Sequence, residues 1–352
     1  MAAESGAKKG VVMCSPVNHR IANCEYGEVL VSIILPCFNS DPYVSEAIDS
    51  ALHQSINGIE VIAVDDGSTD RTAEILESYS AIHTHRFSQN KGKSSALNWA
   101  IERAKGQYIL ILDSDDVLEK ECCKTLSAFL EANPDIGVAF GHARLFCDGS
   151  VLSERHPITE GVKKISFESR GDWQVLDSDA FFDATLNRSL CAMPSTMVRK
   201  SSYDAVGLHN EAVPSGQDWE MLVRLSEKYR FAFCDQVLSS IRRHDNNLSS
   251  SDAHLYARLR GRCNALEGIL EQVHISDSQR TCLSNRLLAG RLHLARVLVA
   301  DGECREARKL YRTIADSHLV SPPMKWRIMA QFPGGVIKAI QKSRRFFKRS
   351  VC

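Results

Sequence analysis

Residues 106–116 read Gly-Gln-Tyr-Ile-Leu-Ile-Leu-Asp-Ser-Asp-Asp. The run Tyr108 to Leu112 is too short for a helix and is bounded in front by Gly106, which predicts a buried strand. Three carboxylates follow at once, so Asp113, Asp115 and Asp116 emerge together where that strand ends. In an extended chain, residues i and i+2 point the same way, so Asp113 and Asp115 are expected to converge on one cation. Clustered carboxylates repel unless neutralised, and a hard divalent ion with a diphosphate is their natural partner. A turn that caps the next helix needs fewer acids than three.

The same grammar extends in both directions. Upstream, Val31–Leu35 predicts a strand ended by Pro36. Asp41-Pro42 then predicts a helix start, with a capping carboxylate and Pro in the first turn. Val44, Ala47, Ile48, Ala51 and Leu52 recur at helical spacing. A strand is expected over Ile59–Val64, closed by Asp65-Asp-Gly-Ser-Thr-Asp70, then a helix over Thr72–Tyr79 and a strand over Ile82–Phe87. Ala96, Leu97, Ala100, Ile101 and Ala104 mark a helix face. Downstream, a helix is expected over Glu119–Glu131 and a strand over Gly137–Phe140, while residues 142–190 carry weak signals. Cys191–Arg199 reads as extended, Trp219–Lys228 as a helix and Phe231–Phe233 as a strand. From about residue 252 the pattern is helical, with Leu287–Ala300 and Glu303–Ile314 paired at Asp301-Gly302.

Strands alternating with helices imply an α/β fold, a mostly parallel sheet flanked by helices, here with a helical C-terminal extension. Ligands of such sheets sit at the carboxyl ends of the strands. Pro36-Cys-Phe-Asn39, Asp65-Asp66 and Asp113-Ser-Asp-Asp116 all fall there. The expected organisation is a disordered leader over 1–28, a catalytic α/β domain over 29–250, a helical extension over 251–321 and a basic amphipathic tail over 322–352.

Formal net charge is zero, which argues against a general nucleic-acid binder. The twelve cysteines are scattered, with no C-x-x-C pair and no Cys/His metal spacing, as expected of thiols in a reducing compartment. No stretch approaches the ~20 apolar residues of a membrane span, and Met1–Glu28 lacks the apolar core of a secretory signal. A cytoplasmic protein is expected, peripheral to the inner face of a membrane if its tail binds there. From Pro322 onward the chain carries eight Lys or Arg and no acid, interleaved with Trp326, Ile328, Phe332, Ile337, Phe346 and Phe347. A basic amphipathic stretch of that kind suits an anionic membrane interface.

Four stretches stand in order: Ser32-Ile-Ile-Leu-Pro-Cys-Phe-Asn39, Ile62-Ala-Val-Asp-Asp-Gly-Ser-Thr-Asp70, Asn90-Lys-Gly-Lys93 and the opening run 106–116. Together they resemble the family 2 glycosyltransferases of GT-A fold. The resemblance continues through Met193-Pro-Ser-Thr-Met-Val-Arg199, Val206-Gly207 and Gln217-Asp-Trp-Glu220, and ends near Arg242-Arg-His-Asp-Asn-Asn-Leu-Ser249, about two-thirds of the chain.

The resemblance implies inverting transfer of a sugar from a nucleoside diphosphate sugar to a glycan or lipid-linked acceptor, with Mn²⁺ or Mg²⁺ as cofactor. It places Pro36, Phe38 and Asn39 beside the nucleoside, and Asp66 and Asp65 at the base. Lys91 and Lys93 sit where the family's loop approaches the nucleotide. Asp113, Asp115 and Asp116 face ribose, metal and diphosphate, with Asp115 the direct ligand. Asp218 matches the general base that removes the acceptor hydroxyl's proton; Gln217 stands where the family often has Glu. His244 completes the metal shell or binds the leaving diphosphate, with Arg242 or Arg243 adding charge; Ile241 replaces a common aromatic. A nucleotidyltransferase is disfavoured because no Gly-rich phosphate loop follows the first strand. A non-catalytic binding protein of the same fold is disfavoured by the joint presence of Asp113, Asp115 and Asp218. A dehydrogenase is disfavoured because no G-x-G-x-x-G follows any strand.

Overall fold

A computed structural model of the chain describes residues 29–245, 247 and 255–316. Its eleven strands form one sheet: β1 (Val31–Cys37), β2 (Ile59–Asp65), β3 (His83–Arg86), β4 (Tyr108–Ile111), β5 (Val117–Leu118), β6 (Ile136–Cys147), β7 (Ser150–Ser153), β8 (Phe167–Arg170), β9 (Trp173–Leu176), β10 (Thr196–Arg199) and β11 (Arg230–Arg242). The order is β3-β2-β1-β4-β10-β6-β11-β9-β8, with β5 on β11 and β7 on β6. The four strands β3-β2-β1-β4 are parallel. β10 runs antiparallel to both its neighbours, and β6 and β11 are again parallel.

The central strands are apolar on both sides because helices cover both faces of the sheet. Ile33, Leu35 and Leu110 pack with α1 (Val44–Leu52), α2 (Thr72–Ser78) and α4 (Cys122–Ala132). Ile34, Ile109 and Ile111 pack on the other face with α3 (Lys93–Arg103), α5 (Ser178–Asn187), α6 (Lys200–Val206) and α7 (Gln217–Lys228). Each such side chain, fully buried, contributes about 1.5–3 kcal/mol.

The chain steps outward from β1 to β2 and β3, then returns to place β4 on the other side of β1. A crevice opens where the strand order reverses. The β1–β2 register runs to Cys37 opposite Asp65, whereas β1–β4 stops at Ile34 opposite Ile111. Pro36 lies past that point, so its missing N–H breaks no ladder bond to β4.

Several expectations are corrected. β1 passes through Pro36 rather than ending before it. Asp41 caps no helix: α1 starts at Val44, and the Asp41 carboxylate takes both arms of Arg71 at 2.9 Å. The helix expected from Glu119 starts at Cys122, because Val117–Leu118 pair with β11 instead. Residues 142–190 hold the end of β6, the strands β7, β8 and β9, a 3-10 turn over Pro157–Lys164, and α5.

The extension is three helices, α8 (Leu255–Gln272), α9 (Asp277–Asp301) and α10 (Cys304–Asp316). Leu186 of α5 and Val223 of α7 share one core with Cys263, Leu266, Ile269, Leu283 and Leu287, so the extension packs directly on the helix that carries Asp218. Among the described residues no helix is long and apolar enough to cross a membrane. The expected leader 1–28 and tail 322–352 lie outside the described residues.

Candidate active site

The loops after β1 and β2 are stitched together at the crevice. Asn39 adopts a left-handed φ of 51°. Its N–H donates to Ser68 Oγ at 2.9 Å, and its Oδ1 accepts the Thr69 N–H at 2.9 Å. The Ser40 and Ser114 hydroxyls, 2.6 Å apart, join the loops after β1 and β4. Pro36 is buried beneath them, and Phe38 stands at the surface, 47% exposed. Asp65 is buried; its Oδ1 accepts the Ser68 N–H at 2.9 Å and its Oδ2 lies 3.1 Å from Arg86 Nε.

Asp66 accepts the backbone N–H groups of Lys91 and Gly92 at 2.6 and 2.8 Å, one on each oxygen. Burial pushes its pKa up, and those two donors only partly offset the rise. Gly67, at φ +74°, makes this contact possible: a Cβ there would lie 2.7 Å from the Gln89 carbonyl carbon. The Lys91 ammonium itself sits 4.3 Å over the Phe87 ring.

The acids after β4 diverge rather than converge. The Asp116 N–H donates to the Asp113 carbonyl at 3.0 Å, so residues 113–116 form a turn, and the i, i+2 alternation of an extended chain is lost. Asp113 turns to Lys93, with Nζ to Oδ1 at 2.7 Å. Asp115 turns to the end of β11, where Oδ2 meets His244 Nε2 at 2.9 Å and Asn247 Nδ2 at 3.1 Å. Asp116 is 4% exposed and accepts the Arg242 N–H at 2.9 Å. Burial, with the charges of Asp115 and Asp113, pushes its pKa well above the usual carboxylate range. Arg242 also reaches the Asp115 carbonyl at 3.0 Å and pairs with Glu46 of α1.

Lys93 bridges the crevice. Its ammonium lies 2.7 Å from Asp113 and 3.5 Å from Asp218. Burial alone would lower its pKa, but Asp113, Asp218 and Asp115 outweigh burial and raise it, so the ammonium stays charged. Asp218 does not act as a helix cap: the cap of α7 is Gly216, in left-handed conformation, and no side chain bonds there.

The frame behind Asp218 went unread in the sequence. Arg224, buried, donates to both oxygens of the fully buried Glu220 at 2.8 Å and to the Leu208 carbonyl at 2.9 Å. Its partner stands four residues away, a spacing that signals a helical ion pair. Trp219 Nε1 donates to the Thr185 carbonyl at 2.7 Å, tying α7 to α5. Arg243 extends to the 3-10 turn, where its Nη2 lies 3.2 Å from His156 Nε2. The structure thus gathers Lys93, Asp113 and Asp218 in one group and Asp115 and His244 in a second beside it.

The sequence model described as Glycosyl transferase family 2 matches residues 32–203. Over that segment the chain is a family 2 glycosyltransferase. An uncharacterized glycosyltransferase of Rickettsia typhi is 31% identical over 61% of this chain and 64% of its own length. Escherichia coli chondroitin synthase is 29% identical over 62% of this chain and 30% of its own length. The chain therefore spans less than two-thirds of either relative. Staphylococcus aureus TarS, crystallised with UDP-GlcNAc, superposes with a TM-score of 0.59 at 18% identity, over 82% of this chain and 80% of that one. That likeness shows the GT-A fold. Asp218 and His244 lie beyond the family-matched segment.

Proposed function

We propose that the chain moves a sugar from a nucleoside diphosphate sugar to an acceptor hydroxyl with inversion, with Asp218 as the base. The observation that carries this is the Lys93 bridge, which holds Asp218 and the donor-side acid Asp113 within reach of one ammonium. A base there faces a donor seated over the carboxyl ends of β1, β2 and β4. The acceptor hydroxyl gives its proton to Asp218 as its oxygen bonds the anomeric carbon. The bond from that carbon to the diphosphate breaks on the opposite face, so the configuration inverts. Phe38 and Asn39 would flank the nucleoside, with Asp65 below. Asp66, by fixing the Lys91–Gly92 turn, would shape the wall against the base.

A divalent ion, Mn²⁺ or Mg²⁺, fits the Asp115–His244 pair, whose oxygen and nitrogen already face each other at 2.9 Å. Among the described residues no three His, Cys, Asp or Glu side chains are grouped to hold a metal, so the remaining positions would fall to diphosphate oxygens and water. The ion would neutralise charge growing on the leaving diphosphate. Asp116 would support that pair from behind through Arg242, and Arg243 would add positive charge at its outer edge. The acceptor would be a glycan or a lipid-linked glycan, in polysaccharide biosynthesis. The basic tail 322–352 would bring the protein to the inner face of a membrane.

The test is to incubate the protein with a panel of nucleoside diphosphate sugars, UDP-GlcNAc included, with Mn²⁺ or Mg²⁺ and with chelator. Metal-stimulated release of one nucleoside diphosphate supports the proposal; no release from any donor contradicts it.

A further inference from the structure

Behind Asp218 lies a cluster of buried polar atoms that lack hydrogen-bond partners among the described residues. They are Asp218 Oδ1, Gln217 Oε1, Ser94 Oγ, Tyr203 Oη and one ring nitrogen of His209, whose other bonds the Gln217 backbone. The sequence places Ser94 next to Lys93 and Gln217 next to Asp218. Asp218 acts on the Tyr203 phenol, and Lys93 and Arg224 act on the His209 ring, which lies beside the Gln217 backbone. The Tyr203 and His209 rings are 6.1 Å apart, and both side chains are at most 3% exposed. Orphaned polar atoms in such numbers are rare in folded proteins, and where they cluster they are satisfied by ordered water.

The two oxygens of Asp218 differ. Oδ2 faces Lys93 at 3.5 Å, and the side chain as a whole is 30% exposed. Oδ1 is buried and turned inward. We infer that ordered waters bridge Asp218 Oδ1 to Tyr203 and His209, and so hold the carboxylate with Oδ2 toward the acceptor. Tyr203, His209 and Ser94 are then positioning residues. The inference rests on Asp218 being the base. His209 suits the part because burial, then Arg224 and Lys93, depress its pKa to about 3, so its ring is neutral and offers both a donor and an acceptor.

Lys93 faces Asp218 from α3, and Asp113 and Asp115 lie beyond that ammonium. Tyr203 faces it from α6, and the Glu220–Arg224 pair lies further along α7.

The test uses the full chain with the sugar nucleotide that supports release. Tyr203→Phe removes one buried hydroxyl and keeps the ring; Ser94→Ala and His209→Gln are its companions. The expected result is an unchanged donor KM with kcat lower by about tenfold. The inference is overturned if Tyr203→Phe and Ser94→Ala both keep the parent's kcat, or raise donor KM as much as they lower kcat, while Asp218→Asn is inactive. An active Asp218→Asn would instead remove the base assignment itself. A crystal structure showing no ordered water at Asp218 Oδ1 would also overturn the inference.

Discussion

Gly261 of α8 meets the loop that leads into the Asp218 helix. A Cβ built on it would lie 2.0 Å from the Ser215 carbonyl oxygen and 2.7 Å from the Ser215 nitrogen. Both are backbone atoms, so no side chain can swing aside, and carbon and oxygen must part by at least ~1 Å to reach ordinary contact. Ser215 stands three residues before Asp218, and Asn264 of the same helix donates to the Ala212 carbonyl. The displacement therefore passes to Asp218. Overpacking of this kind costs about 1–3 kcal/mol, and a 1 Å misplacement of a reacting group can cost ~10²-fold in rate. Gly261→Ala should lower nucleotide release by roughly 10–10²-fold while the donor-induced thermal shift stays at the parent value. The proposed donor contacts lie at the ends of β1, β2 and β4, away from α8. Melting curves and initial rates at saturating donor would measure both. A variant that melts lower yet turns over at the parent rate would refute the claim that the extension braces the base.

Asp115→Asn should abolish metal-stimulated release with the fold intact by circular dichroism; full activity, or a parent enzyme active in excess chelator, would remove the metal assignment. His209 is neutral in the folded chain, its pKa depressed to about 3 by burial, whereas an unfolded histidine titrates near ~6.5. The unfolded state thus takes up a proton first as pH falls, and stability is lost from about pH 6.5 down toward 3. His209→Gln should flatten that stretch of the stability curve by a few kcal/mol, on the order of the pKa difference; parallel acid profiles in denaturant titrations would contradict it. Truncation before Pro322 should reduce flotation with anionic vesicles at low salt, and equal flotation of the two chains would dismiss the tail as a membrane contact.

The fold was legible where burial is strong. β1, β2, β4 and α3 announce themselves because they are apolar at the period of their structure, and the ends of β2 and β4 carry the acids that line the crevice. Legibility failed where burial is weak. β7 and β8 lie almost wholly exposed at sheet edges, so no alternation marks them. At the site, the residue types were readable but their pairing was not. A single backbone bond from Asp116 to Asp113 turns the acid run and sends Asp113 to Lys93 and Asp115 to His244. Those partners stand 20 and 129 residues away, beyond any local pattern. Tyr203 and His209 were invisible for another reason: a buried Tyr or His reads as ordinary core until its polar atoms are found without partners.

Asp218→Asn tests the central claim most directly. The substitution keeps the shape and removes the charge proposed to accept the proton. With the donor and metal that support turnover, the variant should retain the donor-induced thermal shift. It should release nucleotide slower by ~10²–10⁴-fold, the usual worth of a general base, and the parent's product should carry the inverted anomeric configuration by NMR. Parent-like turnover by Asp218→Asn, or a product with the donor's own anomeric configuration, would contradict the account.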